Sequence, residues 1–261
     1  MIGIFDSGIG GLTVARAIRE ALPEHDLLYY GDTARSPYGA KSLDTIREYA
    51  LDNIRFLLNE GAAVIVAACN SASSAAPEVM TGRYDPPVFE AVTPAVGAAL
   101  QATRTGRIGV IGTRATIGSG IYETRLREAD PEVRVHSAAC PLLVPLVEEG
   151  WFKKPETTMI IKKYLHPLKV RQIDTLILGC THYPVLKETI GRKIGKRVRL
   201  IDASVAVAEA VKSFLKDHPA IDQKMRKEGS DRYVVSDSTP QFEKIARTIL
   251  KRPVRLETVR H

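Results

Sequence analysis

Short apolar runs alternate along this chain with longer stretches in which apolar residues recur every three or four positions. Runs of the first kind lie near residues 2–5, 27–30, 63–68, 88–91, 107–111, 133–136, 174–178, 198–201 and 232–235. Apolar runs of this length, separated by helical periodicity, predict buried parallel strands joined by helices. The fold class expected is therefore α/β, with doubly wound, mostly parallel sheets. The clearest helix spans 43–60. Ser42 stands at its N-cap position, Ile46, Ala50, Ile54 and Leu57 form an apolar stripe, and Gly61 provides the stop.

Two stretches share one plan, an apolar run entering a glycine-rich loop that opens a helix. They are Gly3-Ile4-Phe5-Asp6-Ser7-Gly8-Ile9-Gly10-Gly11 and Gly109-Val110-Ile111-Gly112-Thr113-Arg114-Ala115-Thr116-Ile117-Gly118. A second pair, Val64 to Ser71 and Leu176 to His182, runs from an apolar strand into a cysteine and then polar groups. The repetition predicts two similar α/β halves. Ligands in open α/β sheets bind beyond the carboxyl ends of the strands, so Cys69 and Cys180 are expected to face one cleft between the halves.

Composition narrows the classes. No apolar run reaches the roughly 18–20 residues of a membrane span, and the N-terminus enters a strand without a basic region or cleavage site, so a cytoplasmic location and no membrane contact are expected. The formal charge of +7 arises from 37 basic and 30 acidic residues, with basic stretches after residue 150 at 192–199 and 224–227. These stretches lack interleaved aromatics and any nucleic-acid motif, so they are read as solvated faces, with nucleic acid not expected as a partner. Three cysteines, Cys69, Cys140 and Cys180, are too few and too far apart for a disulfide framework.

Several residues carry possible chemistry. Asp6 and Ser7 either cap the helix that follows or place a carboxylate at a strand end. The stretch from Gly31 to Gly39 is a structural loop or, through the Tyr38 and Gly39 backbone, a substrate loop. Cys69 opens a helix, where N–H dipoles favour a thiolate. His182, two residues beyond Cys180, can exchange a proton near neutral pH and lower the thiol pKa. Cys69, Cys180 and His182 are also acceptable zinc ligands, but no pair has the spacing of a structural zinc site, so no metal is expected. Cys140 reads as packing, and Glu148 as a solvated helix-end carboxylate or an acid/base beside apolar residues. Ser236 to Pro240 reads as a strand exit and helix cap.

With these residues assembled, the chain resembles the glutamate racemases, cofactor-independent amino-acid racemases that supply D-glutamate for bacterial peptidoglycan. The resemblance spans nearly the whole chain. It is carried by Gly3 to Leu12, Tyr30-Gly31-Asp32-Thr33 with Pro37-Tyr38-Gly39, Ala68-Cys69-Asn70, Val144 to Glu148, Leu178 to Pro184 and Val235 to Ser238. It implies that Cys69 and Cys180 are two bases, that Asp6 assists the first, and that His182 and Glu148 assist the second. It also implies substrate contacts from Asp6, Ser7, Tyr38, Gly39, Asn70, Ser71, Thr181 and His182, no cofactor, glutamate as the small-molecule substrate, and a homodimer. Pattern and resemblance together divide the chain into 1–92 with 203–261, and 93–202. Two departures stand out, Ser71 where the family commonly has Thr, and the segment Glu90 to Pro94. The rival readings are a metal-dependent hydrolase or lyase, a two-domain amino-acid-binding protein without catalysis, and an aspartate racemase of the same superfamily.

Overall fold

The computed structural model describes residues 1–77 and 84–259. Its strands form two sheets in which every pairing is parallel. The first contains β1 (Ile2–Asp6), β2 (Leu27–Gly31), β3 (Val64–Ala67), β4 (Val88–Glu90), β9 (Asp231–Val235) and β10 (Glu257–Thr258). The second contains β5 (Arg107–Gly112), β6 (Arg134–Ala139), β7 (Thr175–Gly179) and β8 (Arg199–Asp202). Their orders are β10-β9-β2-β1-β3-β4 and β6-β5-β7-β8. The run β2-β1-β3-β4 therefore repeats as β6-β5-β7-β8, which is the two-half similarity the sequence predicts.

The apolar runs became strands because both faces of these sheets are covered. Every residue of β1, β2, β3 and β7 is buried. In the first domain α1 (Leu12–Ala21), α10 (Ala203–Asp217) and α12 (Pro240–Leu250) cover one face, while α2 (Leu43–Asn59) and α3 (Asn70–Ala75) cover the other; the short α11 (Pro219–Asp222) follows α10. In the second, α4 (Val92–Ala102) and α6 (Ile121–Ala129) lie on one face and α7 (Leu143–Glu148), α8 (Pro155–Val170) and α9 (Lys187–Ile194) on the other, with α5 (Arg114–Gly118) following β5. Helix α10 packs against both α1 and α4, so it joins the two layers. No described helix is long and apolar enough to cross a membrane.

Local signals account for the helix ends. Ser42 accepts a hydrogen bond from the Thr45 N–H at 3.3 Å, and Gly61 takes φ +78°, a conformation that favours glycine. Thr239, within the expected cap segment, accepts from the Phe242 N–H. The departure at 90–94 has a structural use: the Glu90 carboxylate accepts from the Val92 and Thr93 N–H groups and caps α4. Two elements differ from the sequence expectation. Strand β6 runs to Ala139, because its polar residues His136 and Ser137 pair with β5 on a half-exposed edge. Strand β10 is an exposed two-residue pairing with no apolar run to announce it.

Candidate active site

The strand ends of the two sheets converge on a cavity of about 210 Å³, smaller than the roughly 300–1,000 Å³ of drug-sized ligand sites. Cys69 lies two residues beyond β3 and Cys180 one beyond β7, and both line this cavity. Since β3 and β7 hold the same place in the repeated strand order, the thiols occupy equivalent stations in the two domains. The cavity joins the residues expected at the site: Ser7, Tyr38, Gly39, Cys69, Asn70, Ser71, Glu148, Cys180, Thr181 and His182 all line it.

Asp6 is the exception. It is fully buried and is not among the lining residues. Its Oδ2 accepts from the N–H groups of Gly8 and Gly11, at 3.1 and 3.0 Å, and its Oδ1 accepts from the Thr181 hydroxyl at 3.2 Å. The carboxylate thus staples the Gly8–Gly11 turn and reaches the loop after Cys180. Burial raises its pKa above the usual carboxylate value, against the opposing effects of His182, those two N–H groups and Thr181.

Cys69 is the N-cap of α3, as its position after β3 suggested. The expected helix-dipole preference for a thiolate does not prevail. Burial and the neighbouring Asp6 charge push the thiol up to about 12, outweighing the Ala72 N–H and the Ser7 hydroxyl, which act in the opposite direction. A six-residue helix supplies too little field to overcome desolvation of a buried sulfur.

The second thiol has an ionic partner chain. Cys180 Sγ lies 3.9 Å from His182 Nδ1, and His182 Nε2 lies 3.2 Å from Glu148 Oε1. Burial disfavours the imidazolium, but the sulfur and the carboxylate on its two sides prevail, and His182 is pushed up to about 10. Glu148 is thereby tied into the site at the end of α7 and not left as a solvated helix-end residue. The ring is packed against the first domain: a Cβ on Gly10 would stand 2.6 Å from both His182 Cε1 and Thr181 Oγ1.

Tyr38 lines the cavity, but its hydroxyl points away, donating to Asp32 and accepting from Asn53 Nδ2 at 3.0 Å. Gly39 beside it also lines the cavity. Gly39 is pressed against the second domain, where a Cβ would meet Thr113 Cβ at 2.6 Å. Thr113 Oγ1 lies 2.9 Å from Ser71 Oγ, which also lies 3.3 Å from Thr116 Oγ1. Thr113 and the exposed Arg114 line the cavity without having been singled out as site residues. The signal was present in the repeat, since Thr113 follows β5 as Ser7 follows β1. Pro141, Val144 and Pro145 add an apolar wall. Cys140 is buried in the second-domain core and donates weakly to the Ala138 carbonyl, a packing position. Among the described residues no group of three or more His, Cys, Asp and Glu side chains is gathered to hold a metal ion.

Two parallel α/β domains that each present one cysteine to a shared cavity match a known class. The model of the family described as Asp/Glu/Hydantoin racemase covers residues 12–211, and the chain belongs to this family. Among its relatives is the glutamate racemase of Geobacter metallireducens, 42% identical over 95% of this chain and 92% of that one. The crystal structure of glutamate racemase isoform RacE1 from Bacillus anthracis superposes with a TM-score of 0.93 at 36% identity, covering 99% and 97% of the two chains. The Francisella tularensis glutamate racemase, crystallised with D-glutamate, gives 0.90 at 35% identity, with 99% and 96% covered.

Proposed function

We infer that this chain interconverts L-glutamate and D-glutamate, with Cys69 and Cys180 acting as acid and base on opposite faces of the α-carbon. The observation that carries this reading is the placement of the two thiols at equivalent strand ends of two domains, lining one cavity. Racemisation requires removal of a proton from one face and delivery to the other, which two separated groups do without turning the substrate over. The thiolate on one side takes the α-proton, the thiol on the other gives one, and the roles exchange in the reverse direction.

His182, held by Glu148, supports Cys180 as its proton partner, and Asp6 orients the loops behind both thiols. Ser7, Asn70, Ser71, Thr181 and the Tyr38–Gly39 backbone would receive the ammonium and carboxylates, stabilising charge that spreads into the α-carboxylate as the proton leaves. Residues 1–92 with 203–261 and residues 93–202 would move as the two bodies, opening to admit substrate. The physiological setting we assign is the cytoplasm, with D-glutamate supplied to peptidoglycan synthesis and the enzyme acting as a homodimer.

The test is to incubate L-glutamate and, separately, L-aspartate with the protein and no added cofactor, and to follow optical inversion. Inversion of glutamate, much faster than of aspartate, is expected. Inversion of neither would overturn the assignment, and preference for aspartate would move it within the family.

A further inference from the structure

Tyr122, on α6 of the second domain, touches both cysteine loops. It is buried, and its hydroxyl donates to Asn70 Oδ1 at 2.6 Å, across the cleft from its own domain. Asn70 is the residue after Cys69 and lines the cavity. On the other side, the ideal Cβ of Gly179 would stand 3.1 Å from Tyr122 Cε2, so the ring lies flush against the residue before Cys180. Burial first, then the nearby Glu90 and Cys180, hold the phenol well above its ordinary pKa, and it remains a donor through the accessible pH range.

An asparagine amide offers one carbonyl oxygen and one NH2 group, and their orientation follows from their hydrogen bonds. With its oxygen held by the phenol, the Asn70 NH2 is directed elsewhere. It has no protein acceptor among the described residues, yet is not a buried orphan, and its side chain lines the cavity. The NH2 group therefore opens onto the cavity as a donor.

We propose that Tyr122 is a positioning residue: its hydroxyl fixes the Asn70 amide so that the NH2 group faces the cavity and receives a substrate carboxylate. Resting on the racemase reading above, this adds a residue that does not itself line the cavity, supplied by the domain opposite Cys69. It also ties orientation of the donor to apposition of the two domains, since the phenol and the amide come from helices of different domains.

The test is a comparison of wild type, Tyr122→Phe, Asn70→Ala, the double variant and Asn70→Asp. The phenylalanine retains the ring against Gly179 and removes only the hydroxyl. Its KM for glutamate should rise about tenfold, with kcat changed by less than about threefold, because a binding donor has lost its orientation. The same substitution in the Asn70→Ala background should have no further effect on KM. Asn70→Asp, which still accepts from Tyr122 but presents an oxygen to the cavity, should weaken binding at least as much as Asn70→Ala. An unchanged KM in Tyr122→Phe, full additivity in the double variant, or wild-type KM in Asn70→Asp would each overturn the proposal. Calorimetric titration with D-glutamate gives the same comparison independently of turnover. An inactive wild type would remove the racemase reading, whereas an active wild type matched by Tyr122→Phe would remove only the role of Tyr122.

Discussion

Thr181, the residue after Cys180, donates its hydroxyl to Asp6, the last residue of β1 in the opposite domain. A related bond crosses the cleft the other way: Ser71, two residues beyond Cys69, meets Thr113, the first residue after β5. Each cysteine loop is thus tied to the glycine-rich turn of the other domain. The two thiols are held relative to one another by polar bonds that form only when the domains are apposed.

Replacement of either thiol separates binding from catalysis. Cys69→Ala and Cys180→Ala should each reduce racemisation at least about a thousandfold, the scale on which loss of an acid/base partner acts, while D-glutamate binding by calorimetry persists. Full racemisation by either variant contradicts the two-base account.

Gly10 holds the His182 ring close to the first domain. In Gly10→Ala the new Cβ would stand 2.6 Å from the Thr181 hydroxyl and from His182 Cε1, so the loop carrying them must shift. Overpacking of this kind costs about 1–3 kcal/mol. Urea unfolding should show that loss, and kcat/KM should fall about tenfold or more as the ring leaves its line with Cys180. Wild-type kcat/KM in this variant would show that the ring's placement does not matter.

The His182 pKa, raised to about 10, sets a pH signature on stability. A raised pKa means that the folded state holds the proton more tightly than the unfolded chain. The resulting stabilisation is fully present below the ordinary histidine value near 6.5 and is lost as pH rises through about 10. The melting temperature of wild type relative to His182→Asn should therefore be highest at and below about pH 6.5, fall as pH rises, and level off above about pH 10. A difference that grows with pH would contradict the assignment of a charged ring between Cys180 and Glu148.

Ser42 is exposed and does not line the cavity, although Ala40 two residues before it does; Ser42→Ala removes the cap of α2 and should cost about 1 kcal/mol, lowering the urea midpoint with the slope unchanged. Racemase activity should not change.

Much of this structure was legible in the chain itself. Buried strands of parallel sheets are continuous apolar runs, so β1, β3 and β7 stand out, and the glycine turns after β1 and β5 mark the repeat. The cysteines were recognisable because polar residues follow them directly after an apolar strand. What stayed hidden depended on partners distant in sequence. Nothing local says that Glu148 meets His182, that Asp6 lies beneath the cavity, or that the Cys69 thiol loses more by burial than it gains from its helix. Tyr122 escaped for the same reason, since its place is defined by Asn70 of the other domain.

If two different groups act on the two faces of the α-carbon, the isotope content of early product records it most directly. L-Glutamate incubated in heavy water should give D-glutamate carrying deuterium at the α-carbon, while the remaining L-glutamate stays unlabelled at low conversion; D-glutamate should behave in the mirror sense. In the proposed mechanism one thiol holds the abstracted protium and the other delivers deuterium from solvent. Product that retains its protium, or substrate labelled as fast as product, would contradict a mechanism divided between Cys69 and Cys180.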